Sequence, residues 1–178
     1  SFQADDEPRW RRAPDETPDN PKLLDGGPRP EIEPIGPQSI RFQSNYGPGT
    51  IIIDTAGRQL LLTQANGIAL RYPISVGRDG FTWHGTEAIS AKREWPEWRP
   101  PKEMLARRPE LPRYMEGGPE NPLGARALYL GETLYRIHGS NEPWTIGTNV
   151  SSGCIRMRNE DVIDLYERVK VGTQVVVI

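Results

Sequence analysis

His138 and Cys154 are the residues best suited to covalent chemistry, and sixteen positions separate them. A thiol becomes a useful nucleophile near neutral pH when a base sits beside it, and imidazole is the usual partner. Cys154 is the single cysteine of the chain and follows Ser151-Ser152-Gly153, a run with the composition of a tight turn. Such a turn can aim the N–H groups of Gly153 and Cys154 at one point, where they would stabilise the oxyanion of a tetrahedral intermediate. Gly153, with no side chain, lets backbone approach a reacting carbonyl. Taken alone, a solitary cysteine is more often a small buried hydrophobe. Together with the histidine and the turn, acyl transfer through a Cys–His pair is the chemistry these residues suit.

The surrounding chain reads as mostly β. Thr50–Asp54 and Gln59–Thr63 flank a turn over Thr55–Arg58, and Asn66-Gly67 marks a second hairpin leading into Ile68–Val76. Thr86–Arg93, Ala127–Leu130 and Thr133–His138 are further strand candidates, the last carrying Leu134, Arg136 and His138 on one face and Tyr135 and Ile137 on the other. One helix is expected from Asn159, as N-cap, to about Lys170. Its stripe is Val162, Leu165, Tyr166 and Val169, and Gly172 ends it before a closing strand, Thr173–Ile178.

Residues 94–126 are rich in Trp, Pro and Gly, with a short helix expected over Lys102–Arg107 behind Pro101. A segment of this length suits a lid or binding loop, with Trp95 and Trp98 as a mobile cover that keeps water from a thioester; a structural insertion with no role is the alternative.

Residues 1–38 carry prolines at 8, 14, 18, 21, 28, 30, 34 and 37 among charged residues, and are expected to form a disordered linker or tail; residues 39–178 form the folded domain. The formal charge of −2 argues against broad nucleic-acid binding, and no apolar run approaches a membrane span. Because the chain begins at Ser1, an export signal is expected to have been removed already.

His138-Gly139 followed by Ser151-Ser152-Gly153-Cys154-Ile155-Arg156-Met157 resembles the signature of the L,D-transpeptidases, bacterial cell-wall enzymes. The likeness runs from about Gly49 to Ile178 and includes Val76-Gly77-Arg78 and the loop Gly118–Gly124. Ser152 and Arg156 stand where many members have His and Asn, and this version resembles the branch common in Gram-negative bacteria. The resemblance implies a mainly β fold, a sandwich or mixed sheet with one helix near the C-terminus and a long irregular loop.

It also implies that Cys154 attacks a peptidoglycan stem with release of terminal D-alanine, and that His138 is the base. A backbone carbonyl orients the imidazole; Gly139 matches that position and Ser140 is a near alternative. The thioester is then resolved by a second stem to give a 3–3 cross-link. No cofactor or metal is implied, carbapenem-type β-lactams are the expected inhibitors, and the location is periplasmic. Arg156 is the first candidate for holding a substrate carboxylate, weighed evenly against a structural salt bridge. Ser151, Ser152, Asn141, Trp144, Arg126 and Tyr129 complete the candidate substrate contacts, and His84 is read as a surface histidine. An L,D-carboxypeptidase, attachment of an outer-membrane protein to the wall, and a non-catalytic wall-binding module are the alternatives.

Overall fold

The computed structural model describes residues 29, 32, 36–77, 84–100, 102–133, 135–151 and 155–178. Its strands are β1 (Gln38–Arg41), β2 (Ile51–Asp54), β3 (Gln59–Thr63), β4 (Ile68–Pro73), β5 (Val76–Gly77), β6 (Gly85–Glu94), β7 (Arg126–Leu130), β8 (Arg136–His138), β9 (Asn149–Ser151), β10 (Ile155–Arg156) and β11 (Gln174–Val177). The α-helices among the described residues are α1 (Lys102–Arg107) and α2 (Asn159–Arg168), with a 3-10 turn at Pro143–Thr145. Nine strands hydrogen-bond in the order β1-β4-β3-β2-β11-β6-β7-β8-β10, and β5 pairs separately with β9. The mainly β expectation holds, and the sheet is mixed: β11 runs parallel to β2, and β10 runs parallel to β8.

The two-residue period of a strand explains how the layers form. Ile51, Ile53, Leu60, Leu62, Tyr72, Val175 and Val177 point to one face and join the main core, whereas Ile52, Leu61 and Ala69 point to the other and pack with Ile40 and Phe42. Strand β6 links the two halves of the sheet: Gly85–Ala88 pair with β11, and Ile89–Glu94 pair with β7 across a register shift. Beyond that shift Leu128, Leu130, Ile137 and Ile155 enter the same core and are covered by Val162, Leu165 and Val169 of α2. Lys92 fixes the far end of this helix, its ammonium donating to the carbonyls of Tyr166 and Val169 at 2.6 and 2.8 Å and lying over the Tyr166 ring.

Three expectations change. The expected strand Thr133–His138 is ordered as a strand only over Arg136–His138, because Thr133 closes a turn back to Leu130 through both its N–H and its hydroxyl. Asn159 is not the N-cap of α2; Arg158 holds that place, and its side chain makes no capping bond to the helix N–H groups. The third concerns the segment after β6, which has its own core of Trp98, Met104, Leu111, Met115 and Leu123. Trp98 is fully buried there and exchanges backbone hydrogen bonds with Met115. Asn121 sits beneath it, its amide donating to the carbonyls of Pro96, Met115 and Glu116 and accepting from the Leu123 N–H. Trp98 is a core residue of a packed insertion and not the mobile cover expected of it.

Of the N-terminal stretch, residues 1–28 lie outside the described residues. Arg29 donates to the Gly117 carbonyl at 2.9 Å, and β1 pairs with β4 from Gln38 onward.

Candidate active site

His138 is the last residue of β8 and is fully buried. Its Nδ1 lies 2.6 Å from the carbonyl oxygen of Gly139. A carbonyl can only accept, so Nδ1 carries the hydrogen, and in the neutral ring the lone pair resides on Nε2. Nε2 has no hydrogen-bond partner among the described residues. Burial, then the positive charges of Arg156 and Arg136, hold the imidazole well below its ordinary pKa, against a smaller opposing effect of the Gly139 carbonyl. The imidazole is therefore neutral, with a defined tautomer and, among the described residues, no partner on Nε2.

The backbone around Gly139 is held by Asn159, which the sequence offered only as a helix cap. Its Oδ1 accepts from the N–H groups of Ala125 and Ser140 at 3.0 and 3.1 Å. A side chain on Gly139 would run into this oxygen and the Ala125 nitrogen, and Gly124 is equally confined with φ +66°. The two glycines allow three chain segments to meet behind the histidine.

Two strand pairings bracket the turn that carries the cysteine. β9 before it pairs with β5 in parallel, and β10 after it pairs with β8 so that Ile155 is opposite Ile137 and Arg156 opposite His138. Ser75 exchanges both backbone hydrogen bonds with Arg156 (2.9 and 3.1 Å), so the short segment Ser75–Gly77 touches both arms. Ser152, Gly153 and Cys154 themselves lie outside the described residues, as does the side chain of Ser151. Cys154 is bonded to Ile155, the first residue of the strand lying against β8.

The other candidates separate by face. Register places Tyr129 opposite Arg136 and Ala127 opposite His138, so these four share the face away from the core, together with Arg156. The Arg136 guanidinium lies 5.9 Å from the Tyr129 ring centre. Arg126 is on the opposite face: it lies over Tyr166 of α2 at 5.4 Å, and 3.9 Å from Glu94. Arg156 is nearly buried and has an ion pair with Glu142 at 3.6 Å, while its Nε has no partner among the described residues. Asn141 donates to the Glu120 carbonyl at 3.2 Å, joining the histidine loop to the insertion. Trp144 is 73 % exposed, so it is no part of the core. Among the described residues no three His, Cys, Asp or Glu side chains are grouped to hold a metal.

The L,D-transpeptidase catalytic domain, also called YkuD, matches residues 48–177. The chain belongs to the L,D-transpeptidase family. YbiS of Escherichia coli, described as a probable L,D-transpeptidase, is 35% identical over 147 residues, covering 78% of this chain and 47% of YbiS. The chain thus spans about half the length of that relative. A Brucella melitensis crystal structure described as a probable carnitine operon oxidoreductase is 51% identical, covering 83% of this chain and 96% of its own, with a TM-score of 0.55. That description differs from the family match and stays with the Brucella protein. L,D-transpeptidase 3 of Mycobacterium tuberculosis, in complex with a faropenem-derived adduct, shares the fold at 18% identity, covering 74% of this chain and 60% of its own, with a TM-score of 0.54. No helix among the described residues is long and apolar enough to cross a membrane.

Proposed function

We propose that this L,D-transpeptidase works through a Cys154 thiolate and the His138 imidazole on peptidoglycan stem peptides. The observation that carries the reading is the imidazole's geometry: Nδ1–H spent on Gly139, Nε2 without a partner among the described residues, and the strand that follows Cys154 lying alongside. His138 Nε2 takes the thiol proton, and the sulfur adds to the carbonyl of the third stem residue. N–H groups of Gly153 and Cys154 receive the developing oxyanion. The amide C–N bond then breaks, and the proton on Nε2 passes to the departing D-alanine amine. An acceptor amine from a second stem attacks the thioester and gives its proton to His138; the C–S bond breaks and leaves a 3–3 cross-link.

Arg156, Tyr129, Asn141 and Trp144 are the proposed contacts for the stem, with Ser151 and Ser152 from the cysteine turn. Arg126 is the weakest of the set, since its side chain lies on the helix side of the sheet. Peptidoglycan places the enzyme in the periplasm.

The test is intact-protein mass after incubation with imipenem. A covalent adduct on the wild-type chain, absent in Cys154→Ala, is expected, and absence of any adduct on the wild type would count against the cysteine mechanism. Mass spectrometry of muropeptides then separates cross-linked dimers from trimmed monomers, and so separates an amine from water as acceptor.

A further inference from the structure

Ser75 directly precedes Val76-Gly77-Arg78 and lies in the same transverse row as His138. Its neighbours Ile74 and Val76 point into the core, so Ser75 points to the other face. Ser75 is opposite Arg156, and Arg156 is opposite His138. Directly opposed residues put their side chains on the same side of a sheet, with neighbouring strands about 4.8 Å apart. The row Ser75, Arg156, His138 therefore lies on a single face. Ser75 is fully buried and Arg156 is 7% exposed, and neither the Ser75 hydroxyl nor the Arg156 Nε has a hydrogen-bond partner among the described residues. Buried donors of this kind are uncommon because they lose water and gain nothing in return. Glu142 approaches the guanidinium at Nη1 and leaves the Nε edge to one side.

We propose that Ser75 and the Nε edge of Arg156 form a subsite for the terminal carboxylate of the donor peptide, on the residue that leaves. A hydroxyl and a guanidinium edge are both donors, one of them charged, and a carboxylate has lone pairs for both. The terminal carboxylate is three bonds from the scissile carbonyl, a reach on the order of the about 4.8 Å between neighbouring strands. With the carbonyl near His138, the carboxylate falls about one strand away, over Arg156, with the Ser75 hydroxyl reaching toward it from the next strand. The subsite would select a stem that ends one residue beyond the scissile bond, because a longer stem or a blocked end has no carboxylate there. This assignment rests on the transpeptidase reading.

Binding is measured by calorimetry in the Cys154→Ala background, which removes turnover, using a tetrapeptide stem with a free terminal carboxylate and the same peptide as its carboxamide. The acid is expected to bind about tenfold or more tightly than the amide, and adding Ser75→Ala is expected to erase most of that preference by weakening the acid alone. The melting temperature of Ser75→Ala should be unchanged or higher, since an unpartnered buried hydroxyl is removed. An acid-to-amide ratio that Ser75→Ala leaves intact overturns the subsite, as does a lowered melting temperature with no change in the ratio. Ser75→Cys, of similar size and a weak donor, serves if the alanine variant misfolds. D-Alanine release by the wild-type chain is scored separately: its absence refutes the transpeptidase reading, whereas an intact acid preference refutes only the subsite.

Discussion

His138 is tuned by what surrounds it. Burial and two guanidinium groups favour the uncharged ring, so the proposed base stays neutral below the ordinary histidine range near 6.5. The acidic limb of the kcat/KM profile is accordingly expected below that range. Arg156→Gln removes one of the positive charges and should move the limb to higher pH, which a pH–rate series will show; a limb that stays put would separate Arg156 from the base. The same shift bears on stability. A histidine whose folded pKa is depressed contributes stability that is complete above its unfolded pKa, about 6.5, and lost as pH falls from there toward the folded value. Acid denaturation of His138→Gln should therefore be shallower than that of the wild type between about pH 6.5 and the folded pKa, by urea titration at stepped pH.

At the scale of elements, the first turn of α2 is a strut for the histidine loop. Asn159→Ala strips the acceptor from two N–H groups, and a buried donor left unsatisfied costs about 1–3 kcal/mol. The expected result is a lower denaturation midpoint and a fall in kcat, since the Gly139 carbonyl that orients the imidazole is supported by this contact. Asn159→Asp keeps the acceptor oxygen and should recover much of the loss, whereas an alanine variant with normal kcat would remove the strut from the mechanism. Gly139→Ala should be worse than either, because the added carbon meets Asn159 and the Ala125 backbone together.

Across the whole molecule, one continuous core joins both halves of the sheet to α2, while the segment after β6 keeps a small core of its own. Trp98→Ala should cost that insertion about 3–5 kcal/mol. Hydrogen exchange is the discriminating measurement: amides between Trp95 and Gly124 should lose protection, while those of β2, β3 and β11 keep theirs. Loss of protection throughout would mean that the insertion and the main core unfold as a unit. Asn141, bonded to the Glu120 carbonyl, is the expected route by which a loosened insertion alters the histidine loop.

Much of this was legible in the chain itself. Short apolar runs in Ile51–Asp54 and Gln59–Thr63 around a turn, with Asn66-Gly67 before Ile68–Pro73, mark paired strands, and Val162, Leu165 and Val169 define the helix face, because turn chemistry and side-chain period are local properties of the backbone. The Ser-x-Gly-Cys stretch with its upstream histidine likewise announced the family. Spacing could not reveal which groups meet through space. Asn159 reads as a cap until the fold brings Ala125 and Ser140 to its oxygen, and Trp98 reads as a cover until Met115 folds back over it. Nothing in the spacing joins Ser75 to Arg156, since its place there depends on a pairing between segments some eighty residues apart. Local periodicity is written residue by residue along the chain; register between distant strands, and the electrostatics it creates around a base, exist only once the sheet has closed.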